Sequence, residues 1–479
     1  MSQRSTRLRR AGGPARLATV VLLVGVSQLA SPAGAQAVEP PVIDPGAFVA
    51  DAKVGPLDVT EKKTFCAEPV LSGGTDVSEP PPGHRLVDIS AAWQFSRGAG
   101  QKVAVIDTGV NKHPRLPGLQ PGGDYVASDS DGTVDCDGHG TLVAGIIAAT
   151  PSPADGFSGV APEAQILAIR QYSAAYEPKD TQKPIPGVLA SAGYGNAQTM
   201  ASAVVRAVEL GATVINISEV ACGTAGADLG DAALGAAVKF AYDRNVVVVA
   251  AAGNVDSDTA CKDQNPPPLG SFAGDPDWLT VRTVATPAWF SPYVLSVASV
   301  TKDGMPAPYS LSGPWVGIAA PGEDVISLDS KPGGVGLINA QQGEGGSTGP
   351  YFGTSFAAPY VSGLAALVRS RFPALDAQQV MDRITRTAHG PGAGRDNQIG
   401  AGVIDPLAAL TAAIPEEPVS VGADDSLQIA APDSGPYVDP RPRQWATIGS
   451  LICLGLLVLG VAISIPFRRE GKLTEDTDY

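Results

Sequence analysis

Six stretches of this chain are apolar at nearly every position, and they limit its fold more than any other feature. They read KVAVID (102–107), QILAIR (165–170), TVINIS (213–218), VVVVAAAGN (246–254), YVLSVASV (293–300) and WVGIAAPG (315–322). A strand with one face in water alternates apolar and polar residues, because successive side chains point to opposite faces. These runs do not alternate, so both faces must be covered, as in a parallel sheet between layers of helices. Helical periodicity falls between them, at 139–149, 197–210, 232–242, 356–371 and 376–387. The order predicts an α/β domain over 84–412, a parallel β-sheet flanked by helices on both faces. Two long loops, 171–195 and 256–292, read as insertions bordering a binding site.

The ends of the chain carry different signals. Residues 1–37 hold Arg4, Arg7, Arg9, Arg10 and Arg16, an apolar run at 17–30 and the small residues AGAQA, the pattern of a signal peptide. Residues 38–83 form an N-terminal extension rich in proline, ending in EPPPG. Residues 413–445 are rich in proline and acid and read as an extended linker. Residues 446–465, ATIGSLICLGLLVLGVAISI, carry no charge and have the length of one transmembrane helix. Arg468, Arg469 and Lys472 follow, so the tail 466–479 is expected in the cytoplasm and the main domain on the extracytoplasmic side of the cell membrane. The net charge of −15 becomes more negative once the arginine-rich leader is gone, which argues against nucleic acid as a partner.

Of five cysteines, Cys453 lies in the expected span, and Cys66, Cys136, Cys222 and Cys261 lie in the exported part, where disulfides persist. Four cysteines allow three pairings. No CxxC pair suggests zinc, and no metal or cofactor is expected. The loop SDSDGTVDCDG (128–138) crowds four carboxylates, but its glycine is misplaced for a calcium-binding EF-hand loop, and it reads as a solvated acidic surface.

The stretch GTSFAAPYVSGLAALV (353–368) puts Ser355 at the start of an apolar helix. Pro359 is expected in the first turn, where a missing N–H costs nothing. The hydroxyl then faces the positive end of the helix dipole. A helix cap alone would explain such a serine, so its meaning depends on what else the chain supplies. His84, His113 and His389 read as surface residues, whereas His139 in CDGHG has glycine on each side, which lets another segment approach closely. Asp107 ends a buried strand, at the edge where open α/β sheets bind ligands. Asn254 ends another, with a side-chain amide able to donate to an oxyanion. An aspartic protease would need a second DTG-like loop, and DSG at 433–435 lies in the linker.

The order Asp107, His139, Asn254, Ser355 is the order of the subtilisins. VAVIDTGV, DGHGTLVAGIIAA, VVAAAGN and GTSFAAPYVSGLAAL each resemble the corresponding subtilisin motif. The resemblance implies a subtilisin-like fold, a catalytic set of Asp107, His139 and Ser355, and Asn254 in the oxyanion hole. It also implies substrate-binding positions at Ser218, Glu219, Val220 and Gly253. Ser218-Glu219-Val220 stands where that family usually has Ser-Leu-Gly, so valine should narrow the pocket and Glu219 adds a carboxylate. More specifically, the chain is similar to the mycosins, membrane-anchored subtilisin-like proteases of type VII secretion systems, from its leader through VDISAAWQFSRGAGQKVAVIDTGVNKHPRL to its C-terminal span. That likeness implies disulfides Cys66–Cys136 and Cys222–Cys261 and an extension that wraps the catalytic domain. It implies a secreted protein substrate and partners in the secretion membrane complex. It also implies a second role, stabilising that complex without proteolysis.

Overall fold

The six apolar runs form strands, and a seventh joins them. In chain order the strands are β1 (Lys102–Asp107), β2 (Leu119–Asp124), β3 (Gln165–Arg170), β4 (Val214–Ile217), β5 (Val247–Ala251), β6 (Val294–Val300) and β7 (Val316–Pro321). They make one parallel sheet in the order β7-β6-β5-β4-β1-β3-β2. This computed structural model describes residues 39–50, 53–180, 193–257, 259–266, 278–343, 347–391, 394–414 and 448–459. The strand not foreseen, β2, reads LQPGGD and lies at the sheet edge, where proline is tolerated and no apolar run is needed.

Helices cover both faces, which is why the strands lack alternation. Val103 and Val105 of β1 belong to an apolar cluster shared with α1 (His139–Ala148), α4 (Thr354–Arg371) and α5 (Ala377–Arg386). Ala104 and Ile106 face the opposite cluster, built with α2 (Ala197–Glu209) and α3 (Ala232–Asp243). After β1 the chain runs out to β2, returns as β3 beside β1, then crosses to β4 on the other side of β1. Asp107, the last residue of β1, therefore sits where the strand order reverses, the usual place for a crevice.

The extension runs along the domain and is stitched to it. Thr60–Lys62 pairs antiparallel with Tyr176–Pro178, and Pro69–Val70 pairs with Ala340–Gln342. The backbone N–H groups of Leu57 and Asp58 donate to Tyr194 Oη at 2.8 and 3.1 Å. Disulfides join Cys66 to Cys136 and Cys222 to Cys261. His84 is buried, not on the surface as expected: one ring nitrogen contacts Ser158 O at 2.7 Å and the other Tyr360 Oη at 2.9 Å. Burial lowers its pKa to about 4, so it stays neutral. His113 is likewise buried, its Nδ1 accepting from the Arg115 N–H, and only His389 of the three is exposed.

The chain divides into two units, Met1–Ile414 and Pro415–Tyr479. In the second, residues 448–459 are helical, about 18 Å of helix against roughly 30 Å of bilayer core. No helix among the described residues is long and apolar enough to cross a membrane. The rest of the expected span, the cytoplasmic tail, the leader and nearly all of the linker lie outside the described residues. So do 181–192 and 267–277 of the two long loops.

Candidate active site

Asp107 is fully buried at the end of β1, and its Oδ1 lies 2.7 Å from His139 Nδ1. The same oxygen accepts from the Thr108 N–H at 2.7 Å. His139 opens α1, whose first turn must come very close to the β1 loop. Gly140 permits this, since a Cβ there would press on the Gly109 carbonyl and lie 3.0 Å from Asp107 Oδ1. The approach is locked by Asp135, which accepts from Thr108 Oγ1, the Gly138 and Thr141 N–H groups and Thr141 Oγ1, at 2.6–2.9 Å. Burial pushes its carboxyl up to about 7 although the hydroxyl and N–H of Thr141 pull the other way. Asp135 is thus turned inward rather than solvated. Asp137 is also engaged, accepting from Ser173 Oγ and the Ala174 N–H. Of the four carboxylates in the acidic loop, only those of Asp129 and Asp131 are exposed.

Ser355 is the second residue of α4, and Gly353 occupies the cap position. Pro359 is therefore the sixth residue of the helix, not part of its first turn. Lacking an N–H, it cannot donate to the carbonyl four residues back, which is that of Ser355. Ser218 Oγ fills the gap, donating to Ser355 O at 2.8 Å. Behind it, Asn216 Nδ2 donates to Ser218 Oγ at 2.9 Å, and Ser362 Oγ donates to Asn216 Oδ1 at 2.8 Å. Asn216 and Ser362 are fully buried and Ser218 nearly so, so the relay is structural, and the Ser218 hydroxyl is committed to it. Sequence reasoning missed Asn216, Ser362 and Asp135. The first two had a signal, a polar residue inside an apolar strand or helix run; Asp135 had none.

Asn254 Oδ1 accepts from the Thr354 N–H at 2.9 Å and from Thr354 Oγ1 at 3.0 Å. That orientation commits the oxygen and leaves Nδ2 as a donor beside the start of α4. Gly253 adopts φ +109°, open to glycine, and its buried N–H is spent on Thr354 Oγ1 at 3.2 Å. Phe356 brings the serine helix against the histidine, with ring centroids 5.0 Å apart. No hydrogen bond joins Ser355 Oγ to His139 among the described residues; such contacts commonly tighten only with substrate bound. Val220 is partly buried and packs against the main apolar cluster.

Glu219 Oε1 lies 3.8 Å from His139 Nδ1. Burial works to depress the His139 imidazolium, but Asp107, by charge and hydrogen bond, then Glu219 and Asp135, outweigh it and hold the pKa above its ordinary value. Burial raises the Glu219 carboxyl; His139 opposes this, while Asp107, Asp137 and Asp135 add to it. Asp107, His139 and Glu219 offer ligand atoms within 4.8 Å of one another, a possible grouping for a cation. Bonds of 2.1 Å meeting at the tetrahedral angle would hold two ligands roughly 3.4 Å apart. The 2.7 Å between Nδ1 and Oδ1 is a hydrogen bond instead. The arrangement is a carboxylate–imidazole pair beside a hydroxyl at a helix start and an amide donor, a set suited to acyl transfer.

The family model of the subtilases matches residues 98–402. Mycosin-1 of Mycobacterium tuberculosis is 45% identical over 448 residues, spanning 92% of this chain and 97% of that protein. Among solved structures, MycP1 from Mycobacterium smegmatis matches with a TM-score of 0.74 at 46% identity, covering 80% of this chain and 97% of that one. A chain in the structure of an intact ESX-5 inner membrane complex matches with a TM-score of 0.75 at 43% identity, covering 89% and 99%.

Proposed function

This chain belongs to the subtilase family and, within it, to the mycosins, and from that premise we propose that it is a membrane-anchored endopeptidase that cleaves secreted protein at a type VII secretion complex. In this reading Ser355 Oγ attacks the scissile carbonyl while His139 takes its proton and later gives it to the leaving amine. Asp107 holds the imidazole in one orientation and stabilises its charged form. Asn254 Nδ2 and the Ser355 N–H bind the oxyanion, and Glu219, Val220 and the segment around Gly253 line the substrate path. The observation that carries the reading is the 2.7 Å Asp107–His139 bond beside a serine helix whose first turn is pinned by Asn254 and Ser218.

The layout proposed with it is a signal peptide (1–37), an extension (38–83) on the peptidase domain (84–412), a linker (413–445), a transmembrane helix (446–465) and a cytoplasmic tail (466–479). A second reading is that the chain acts mainly as a structural part of the secretion complex, with proteolysis dispensable for secretion. It is supported by the similar chain within the ESX-5 inner membrane complex and by an extension stitched down by two strand pairings. Complementation of a deletion strain with Ser355→Ala separates the two. Loss of substrate processing at normal protein level is expected. Continued processing would remove the catalytic assignment, and secretion restored without processing would assign the structural role.

A further inference from the structure

Beyond lining the substrate path, Glu219 takes no part in the acyl-transfer steps, yet it stands against their base. Its Oε1 is 3.8 Å from His139 Nδ1, the nitrogen that Asp107 Oδ1 already holds at 2.7 Å. At that distance it makes no hydrogen bond to the ring and acts by charge. Its side chain is 19% exposed and that of His139 23%, so water screens the pair only in part. Among the described residues no lysine or arginine pairs with Glu219, and its carboxylate makes no hydrogen bond; His139 is its one ion-pair partner. The other titratable groups facing it are Asp107 at the end of β1, Asp135 and Asp137 before α1, and Tyr172 after β3. Three of those four are carboxylates, which make a further negative charge costly unless the imidazole is positive.

We propose that Glu219 is a positioning residue for the proteolytic reaction, a second anion that with Asp107 stabilises the His139 imidazolium and sets the pH at which His139 becomes available as a base. The inference rests on His139 being that base. When Ser355 Oγ–H gives up its proton, the proton goes to the imidazole, the Nδ1–H stays on the ring and is donated to Asp107, and Glu219 takes none. Its charge lowers the energy of the imidazolium both in the resting enzyme and after proton transfer. The resting effect moves the acid limb of activity to higher pH, so the protease is held back in acid and released as the pH rises. Ser218, one residue earlier, holds the Ser355 carbonyl, so a single loop after β4 touches both the nucleophile and the base.

The test is the pH dependence of fluorophosphonate labelling of the full-length chain in detergent, for wild type, Glu219→Gln, Glu219→Leu and Glu219→Asp. Removing a charge at this range shifts a neighbour by about 1 to 3 pH units. The acid limb should therefore fall by about one unit or more in the Gln and Leu variants. At a pH well below the wild-type limb, their rate relative to plateau should be about tenfold higher. Glu219→Asp, which keeps the charge, should move the limb less. An unmoved limb in both uncharged variants overturns the proposal. A second readout does not depend on catalysis: imidazole NMR titration of full-length Ser355→Ala with and without Glu219→Gln, the His139 signal assigned by its loss in His139→Gln. If wild type fails to label at any pH, the catalytic reading fails, and the NMR titration still decides on Glu219. A His139 pKa equal in both backgrounds rejects the electrostatic role.

Discussion

Pro359 removes a hydrogen bond from the helix that carries the nucleophile, and Ser218 replaces it. Ser218→Ala should therefore expose a defect built into α4. The substitution strands two groups: Ser355 O, part-buried, loses its donor, and Asn216 Nδ2, fully buried, loses its acceptor. Each unsatisfied buried group costs about 1–3 kcal/mol, and the pair together about 2–4 kcal/mol after local relaxation. A shift of the serine by about 1 Å would add a loss on the order of 10²-fold in reactivity. Pro359→Ala supplies the decisive control, because it returns an N–H four residues beyond Ser355. The double variant should recover part of the loss, with a coupling of about 1 kcal/mol. The assay is unfolding of the full-length chain at one fixed scan rate, since a disulfide-bonded protein of this size need not unfold reversibly, alongside labelling of Ser355. Strict additivity of the two substitutions, or a Ser218→Ala variant within about 0.5 kcal/mol of wild type, would refute the reasoning.

Two further outcomes follow from the same geometry. Asn254→Ala should lower turnover by about 10²–10³ with little change in KM, a magnitude measured in subtilisin, a relative of this chain; equal loss in binding would place Asn254 outside the oxyanion site. Replacing Cys66 and Cys136 together by serine opens a covalent loop spanning 70 residues, a loss of about 4 kcal/mol by loop entropy. A melting temperature that stays at the wild-type value in Cys66→Ser/Cys136→Ser would count against that origin of stability.

Much of this was legible in the chain because burial on both faces writes itself into sequence. Strands β1 and β3 to β7 read as apolar runs, and α1 to α5 begin and end within two residues of their periodic patterns. The edge strand β2 was not legible, since an edge residue answers to its one neighbour rather than to a core. Pro359 misled by about one turn: the rule that places proline early assumes no outside donor, and Ser218 lies 137 residues away in sequence. His84 and His113 sit in polar, proline-rich surroundings, yet tertiary partners bury them. Asp107, His139, Asn254 and Ser355 stood out because each ends or begins an apolar element. Asp135, which locks the loop of Asp107 to the helix of His139, stood in an acidic loop with nothing local to mark it.

The central claim is that Ser355 is a nucleophile activated by His139 and Asp107. Fluorophosphonate labelling of the full-length chain, with Ser355→Ala as control, tests it most directly, because such probes require an assembled base and oxyanion site. The account predicts covalent labelling of wild type and none of Ser355→Ala. A folded wild-type chain that does not label, or a Ser355→Ala variant that labels equally, would contradict it.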